Sequence, residues 1–186
     1  MLYMIKDILK TTLLSVPYGF FIALSITLCV NRAIGNNFKH YTSLLNKKRF
    51  RLILYTITYV FMLLYRTVLC RSSDYEPLSD VWGGWGIEIF EYTGIDYGTI
   101  IGNVLMFIPL TVIILFTFPD IFSSIKDIFI KCTAFSFCLS LIIELLQLIF
   151  HKGTFQISDI VYNTLGGVLG VGLFVLYQTK IKGRRK

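Results

Sequence analysis

The chain has 186 residues, 55% of them hydrophobic and 16% charged, with a formal net charge of +7. That balance excludes an ordinary soluble domain, because apolar runs reach the ~20 residues needed to cross a ~30 Å hydrocarbon core as helix. It also removes nucleic acid as the reading of the charge: the bases sit in loops beside the apolar runs, where they act as topology signals.

Five stretches qualify as spans, in chain order about 12–30, 52–70, 99–118, 128–150 and 158–178. The first carries Pro17 and Gly19, and the second carries Arg66 near its end. Both are long and otherwise apolar. Lys6 and Lys10 before the first run resemble the start of a signal peptide. No small-x-small cleavage site follows, and Leu28 precedes Cys29, so the first span is expected to be retained. The expected fold is all-α, a polytopic membrane helical bundle of about five transmembrane helices. Residues 1–51 would hold the first span and a basic loop, 52–178 a four-helix membrane domain, and 179–186 a basic tail.

Charge placement sets the expected orientation. Residues 31–51 hold Arg32, Lys39, Lys47, Lys48, Arg49 and Arg51 without an acid, and read as a connector. The tail holds Lys180, Lys182, Arg184, Arg185 and Lys186, and the link near 119–131 adds Lys126 and Lys131. These groups contain 13 of the 18 basic residues. The positive-inside rule then puts the N-terminus outside and the C-terminus in the cytoplasm.

The loop at 71–98 falls on the exterior side and is acidic, with Asp74, Glu76, Asp80, Glu88, Glu91 and Asp96. It also contains Trp82, Gly83, Gly84, Trp85, Gly86, Tyr92 and Tyr97. Tryptophan and tyrosine favour the headgroup zone. The loop therefore reads as a surface anchor, in the form of a short interfacial helix or re-entrant piece. A lid over the polar residues described next is the sharper alternative. Cys29, Cys70, Cys132 and Cys138 form no C-x-x-C pair and read as small packing residues.

Polar residues inside the apolar runs are the strongest functional signal, since such groups cost a few kcal/mol at the bilayer centre unless paired, wetted or used. On the fourth span Ser136, Ser140 and Glu144 are four apart, and Gln147 and His151 continue the stripe. On the fifth, Asp159 and Asn163 are four apart. Gly166, Gly167 and Gly170 extend that side, and Gly166-x-x-x-Gly170 suits close helix approach. Glu144 lies about 9 Å below a helix end near residue 150 at 1.5 Å per residue. Asn103, Arg66 and Arg71 fall at the same level, so pairing of Arg66 or Arg71 with Glu144 or Asp159 is expected. The plainer reading is a hydrogen-bond network that only fixes helix order. The functional reading is a small outer-leaflet cavity for a lipid headgroup or the end of a surface-active ligand. Two carboxyls also suit acid–base work, although no nucleophile motif accompanies them. One histidine, His151, with scattered acids makes neither a metal site nor a cofactor site, and His151 reads as interfacial.

The same residues carry a family resemblance. Asn103-Val104-Leu105-Met106-Phe107-Ile108-Pro109-Leu110 resembles the N-x-x-x-F-I-P-[FL] signature of VanZ-like proteins. Glu144-x-x-Gln147 resembles that family's E-x-x-Q. Gln156-x-x-Asp159-x-x-x-Asn163-Thr164-x-Gly166-Gly167-x-x-Gly170 resembles its D-x-x-D-x-x-x-N-T-x-G-G-x-x-G, and Arg71 its arginine at the end of the preceding span. Two positions depart: Gln156 stands for the first Asp, and Gly153 stands where many relatives carry arginine. The resemblance covers roughly 52–178. It implies a multi-pass protein of the bacterial plasma membrane, linked in some members to low-level teicoplanin resistance. The functional cluster would be Glu144, Gln147, Asp159, Asn163, Asn103, Arg71 and Arg66, with Gly166, Gly167, Gly170 and Pro109 serving helix packing. Membrane lipid is the expected partner, with cell-wall precursor lipid or a lipoglycopeptide antibiotic as further ones. The alternatives are an enzyme acting on a lipid-linked envelope precursor and a structural or regulatory membrane partner.

Overall fold

The computed structural model describes residues 2–73, 76, 78–85, 88–90, 94–96 and 98–183, with side chains for 10, 13–73, 76, 78–85 and 100–180. Asp74, Gly86, Glu91, Tyr92, Tyr97 and Arg184 to Lys186 lie outside the described residues. Helix α1 is Leu2–Ala33, α2 Phe38–Leu45 and α3 Lys48–Leu64, which continues through a π-helical turn at Tyr65–Leu69. Strands β1 (Glu88–Phe90) and β2 (Gly94–Asp96) pair antiparallel, with Ile89 opposite Ile95. Helices α4 (Gly98–Thr117), α5 (Ile125–Phe150) and α6 (Ile157–Gly183) follow, with a 3₁₀ turn at Pro119–Ile121 before α5.

Five of these helices are long and apolar enough to cross a membrane: Leu13–Ala33, Lys48–Leu69, Ile100–Thr117, Ile125–Phe150 and Ile157–Lys180. Their outward faces carry large apolar side chains, among them Leu105, Ile142, Leu165, Leu169 and Leu173. In water such a surface is a liability; in hydrocarbon it is what a spanning helix presents. The all-α bundle expected from the sequence is the one observed. Two connections hold more structure than expected. The basic segment 31–51 contains α2, capped by the Asn37 side chain accepting from His40 N–H at 2.9 Å. Tyr41 of α2 is buried and donates its hydroxyl to Leu24 O. Among its described residues the 71–98 loop carries this short antiparallel pair and no helix. Its β1–β2 pairing satisfies backbone groups that a helix would have closed locally.

Helix α6 packs on α4 and on α5, α3 packs on α4, and α1 packs on the outside of α3. Small residues set the close approaches. A Cβ at Gly166 would meet the Val104 carbonyl, one at Gly170 would lie 2.8 Å from Ile108 O, and one at Gly167 would meet Ser136. Gly166 and Gly170 thus bring α6 onto α4, while Gly167 opens space for α5. Gly19 does the same for α1, where a Cβ would lie 3.1 Å from Thr58 O. Pro109, expected to serve packing, is exposed on the outer face of α4. The α4–α6 contact rests on the glycines, which meet the Val104 and Ile108 backbone and the Phe107 and Thr111 side chains, while buried Phe107 and Leu110 also pack with Leu63, Val68 and Ile143.

Candidate functional site

The π turn, the first turns of α4 and α6, and the last turns of α5 meet at one end of the bundle. Glu144, Gln147, Asp159 and Asn163 are there between 1% and 3% exposed. Helical spacing explains the convergence: Ser136, Ser140, Glu144 and Gln147 share one buried face of α5, and Asp159 and Asn163 share one face of α6. The two faces are joined by the Asn163 amide donating to Ser140 Oγ at 2.8 Å.

Each carboxylate has its own donors. Asp159 Oδ1 accepts from Asn103 Nδ2 at 2.6 Å, and Oδ2 lies 3.7 Å from Arg71 Nη1. Glu144 Oε2 accepts from the backbone N–H of Gln156 at 2.9 Å, so the α5 acid organises the turn that leads into α6. Gln147 binds both ways. Its Oε1 accepts from Arg71 Nη1 at 3.2 Å, and its Nε2 donates to Thr67 O at 2.9 Å. Thr67 O belongs to the π turn, closed by Cys70 N–H to Tyr65 O. A helix end leaves late carbonyls without intrahelical donors, and Gln147 supplies one. Arg71 therefore ties the end of the α3 segment to α5 and α6. Its side chain is one-third exposed, while Asp159 is buried. Arg66 sits within the π turn, half-buried, and Arg71 pairs with Asp159.

Described residues of the 71–98 loop bond to the α5–α6 turn and the first turn of α6, beside this cluster. Gly153 N–H donates to Ser72 O at 3.0 Å and Ile157 N–H to Val81 O at 3.1 Å. Gln156 Nε2 donates to Asp80 Oδ2 at 2.6 Å, and Ser158 Oγ donates to Gly83 O at 2.7 Å. Gly84 has φ +71°, and a Cβ there would lie 2.6 Å from Ser158 Oγ. Trp82 points outward, 75% exposed, and Trp85 stacks edge-on against Tyr162. His151 ends α5 in the left-handed region, φ 50°, and is exposed rather than part of the cluster.

Both departures from the resembled motif now have a physical setting. An aspartate at 156 would face the Asp80 carboxylate, whereas Gln156 donates to it. Gly153 has φ +76°, and any Cβ there would meet the Arg71 guanidinium. Arg71 occupies the space that a side chain at 153 would need. Asp80, Gly83 and Gly84 were read from the sequence only as loop residues, and Ser158 was not named; none was joined to the cluster. The available signal was Asp80-x-x-Gly83-Gly84, a turn pattern closed here by Gly83 N–H to Asp80 O at 3.0 Å.

Chemically, the arrangement offers two buried carboxyls on adjacent helices, each held by a neutral donor, and a guanidinium that reaches from them toward the surface. Among the described residues no group of three or more His, Cys, Asp or Glu converges as a metal site would require.

A five-helix bundle with a buried acid–amide–arginine cluster beside a folded loop defines a polytopic helical membrane protein. Residues 37–178 match the VanZ/LLP1 family, and the chain belongs to that family. It is similar to Protein VanZ of Enterococcus faecium, 31% identical over 127 residues, which cover 67% of this chain and 71% of that protein. No solved structure matches the chain. The matched region starts just before α2 and ends within α6, leaving α1 outside it.

Proposed function

We propose that this VanZ-type protein sits in the bacterial plasma membrane with the polar cluster at the outer leaflet, and that it lowers sensitivity to teicoplanin and related lipoglycopeptides. The carrying observation is the position of Arg71, bonded to buried Gln147 and paired with buried Asp159 while a third of its side chain stays exposed. A polar group borne on a lipid, or the end of a lipoglycopeptide, can meet that guanidinium without entering the apolar bundle. The charge asymmetry supports the orientation, since the loops at the other end are the basic ones. Family membership supports the resistance role. Expression in a susceptible Gram-positive host is expected to raise the inhibitory concentration of teicoplanin over the empty vector. No rise, with insertion verified, contradicts the role.

A second reading has its own observation. Glu144 and Asp159 are buried carboxyls in different hydrogen-bonding surroundings, one on a backbone N–H and one on an amide and an arginine. Such a pair suits acid and base roles on a lipid-linked envelope precursor. This reading requires a change in precursor lipids by mass spectrometry when the protein is expressed, lost in Glu144→Gln. Identical lipid profiles with and without the protein exclude it.

A further inference from the structure

We propose that a crevice between α3, α4 and α5, at the end of the bundle opposite the polar cluster, binds one acyl chain of an anionic phospholipid, with the phosphate at a basic mouth. Helix α3 and helix α5 are tied together at the cluster end, where Gln147 bonds Thr67 O. Toward the other end they flank a cavity of about 440 Å³ lined by Val60, Ile114, Phe118, Phe122, Phe135 and Lys131, among others. That volume falls within the usual range of small-ligand sites.

The wall chemistry selects the occupant. Thr56 Oγ1 donates to Leu52 O and is bonded to the Thr117 hydroxyl at 3.0 Å. Thr111 Oγ1 donates to Phe107 O. The hydroxyls that border the crevice are thus satisfied within the protein. A water inside needs two to four polar partners, and these walls give it little beyond hydrocarbon. An alkyl chain needs none.

The mouth selects the headgroup. Lys131 stands there, with Nζ donating to Ile121 O and to Asp127, each at 2.8 Å. Arg49 pairs with Asp120 at 2.9 Å, which holds the start of α3 beside the same link. That start carries Lys47, Lys48, Arg49 and Arg51, and its first turn contains no acid. With Lys126 and Lys131 against Asp120 and Asp127, the rim keeps a positive excess, and the amino end of α3 adds its own positive field. A phosphate without a compensating ammonium fits this rim better than a zwitterion. The site is independent of the polar cluster and of the proposed resistance role.

The test uses the purified full chain in mild detergent, with phosphatidylglycerol and phosphatidylcholine of identical acyl chains. Native mass spectrometry is expected to show phosphatidylglycerol retained about fivefold over phosphatidylcholine, the ratio of one lysine–anionic-lipid contact. Val60→Trp, which fills the crevice, is expected to remove the retained lipid, and Lys131→Gln to bring the two lipids close to parity. Photo-crosslinking of wild-type protein with phosphatidylglycerol carrying a diazirine on its acyl chain gives a readout without any variant. It is expected to mark Val60, Ile114 and Phe135 ahead of outward-facing Ile142 and Leu165. Equal retention of the two lipids, unchanged retention in Val60→Trp, or labelling spread evenly over the outward faces would overturn the proposal.

Discussion

Asp159 is a residue in an apolar helix whose charge is answered on both sides, by the Asn103 amide at 2.6 Å and by Arg71 at 3.7 Å. Removing one partner from a buried polar pair costs about 1–3 kcal/mol, whereas removing both can be nearly neutral. Asn103→Leu is therefore expected to lower the unfolding midpoint in detergent, and Asn103→Leu with Asp159→Leu to recover only part of the loss, because the second change also removes the Asp159–Arg71 pair. A single variant as stable as wild type would mean that this hydrogen bond contributes nothing. The polar members of the cluster were legible in the sequence because each breaks an apolar run. Asp80 and Ser158 were not, because a polar residue in or beside a polar loop breaks no pattern. The choice between Arg66 and Arg71 was also hidden: a π turn changes the phase of the residues after it, and nothing in the composition marks such a turn.

At the scale of an element, α6 offers an internal comparison among its glycines. A Cβ at Gly166 would meet the backbone of α4, and one at Gly170 would lie 2.8 Å from it, whereas Gly172 has nothing within 4 Å. Gly172→Ala is expected to hold or raise stability, by up to about 1 kcal/mol of helix propensity. Gly166→Ala and Gly170→Ala are expected to lose about 1–3 kcal/mol, because backbone cannot move aside as a flexible side chain can. Equal melting temperatures for all three would refute the close α4–α6 approach. The loop gives a second case. Gly84→Ala is expected to speed hydrogen exchange at Ile157, whose N–H donates to Val81 O, while the spans stay protected. Unchanged exchange there would mean that the loop tolerates the new side chain. The small-residue pattern of α6 was readable, but the division of its glycines between α4 and α5 was not, since a stripe names no neighbour. Helix α2 was missed because it is only eight residues long, too short a run to stand out as a helix inside a basic connector.

For the whole molecule, five long apolar runs made the bundle legible, and charge counting supplied an orientation that remains a proposal. In a background with the four cysteines replaced, Ser79→Cys in the exposed loop is expected to react with an impermeant maleimide on intact cells. Lys48→Cys is expected to react only after lysis. The opposite pattern would invert the topology and move the polar cluster to the inner leaflet. The helix order α6 against both α4 and α5, with α3 beside α4, was not readable, because it depends on which small residues meet which backbone. The central claim is that the buried cluster works on a ligand rather than only holding helices in order. Its most direct test is the teicoplanin inhibitory concentration of cells expressing Glu144→Gln and Asp159→Asn, divided by the amount of folded, membrane-inserted protein. The prediction is resistance falling to the vector level while inserted protein stays near wild type. Resistance that merely follows the amount of protein, at wild-type effect per molecule, would contradict it.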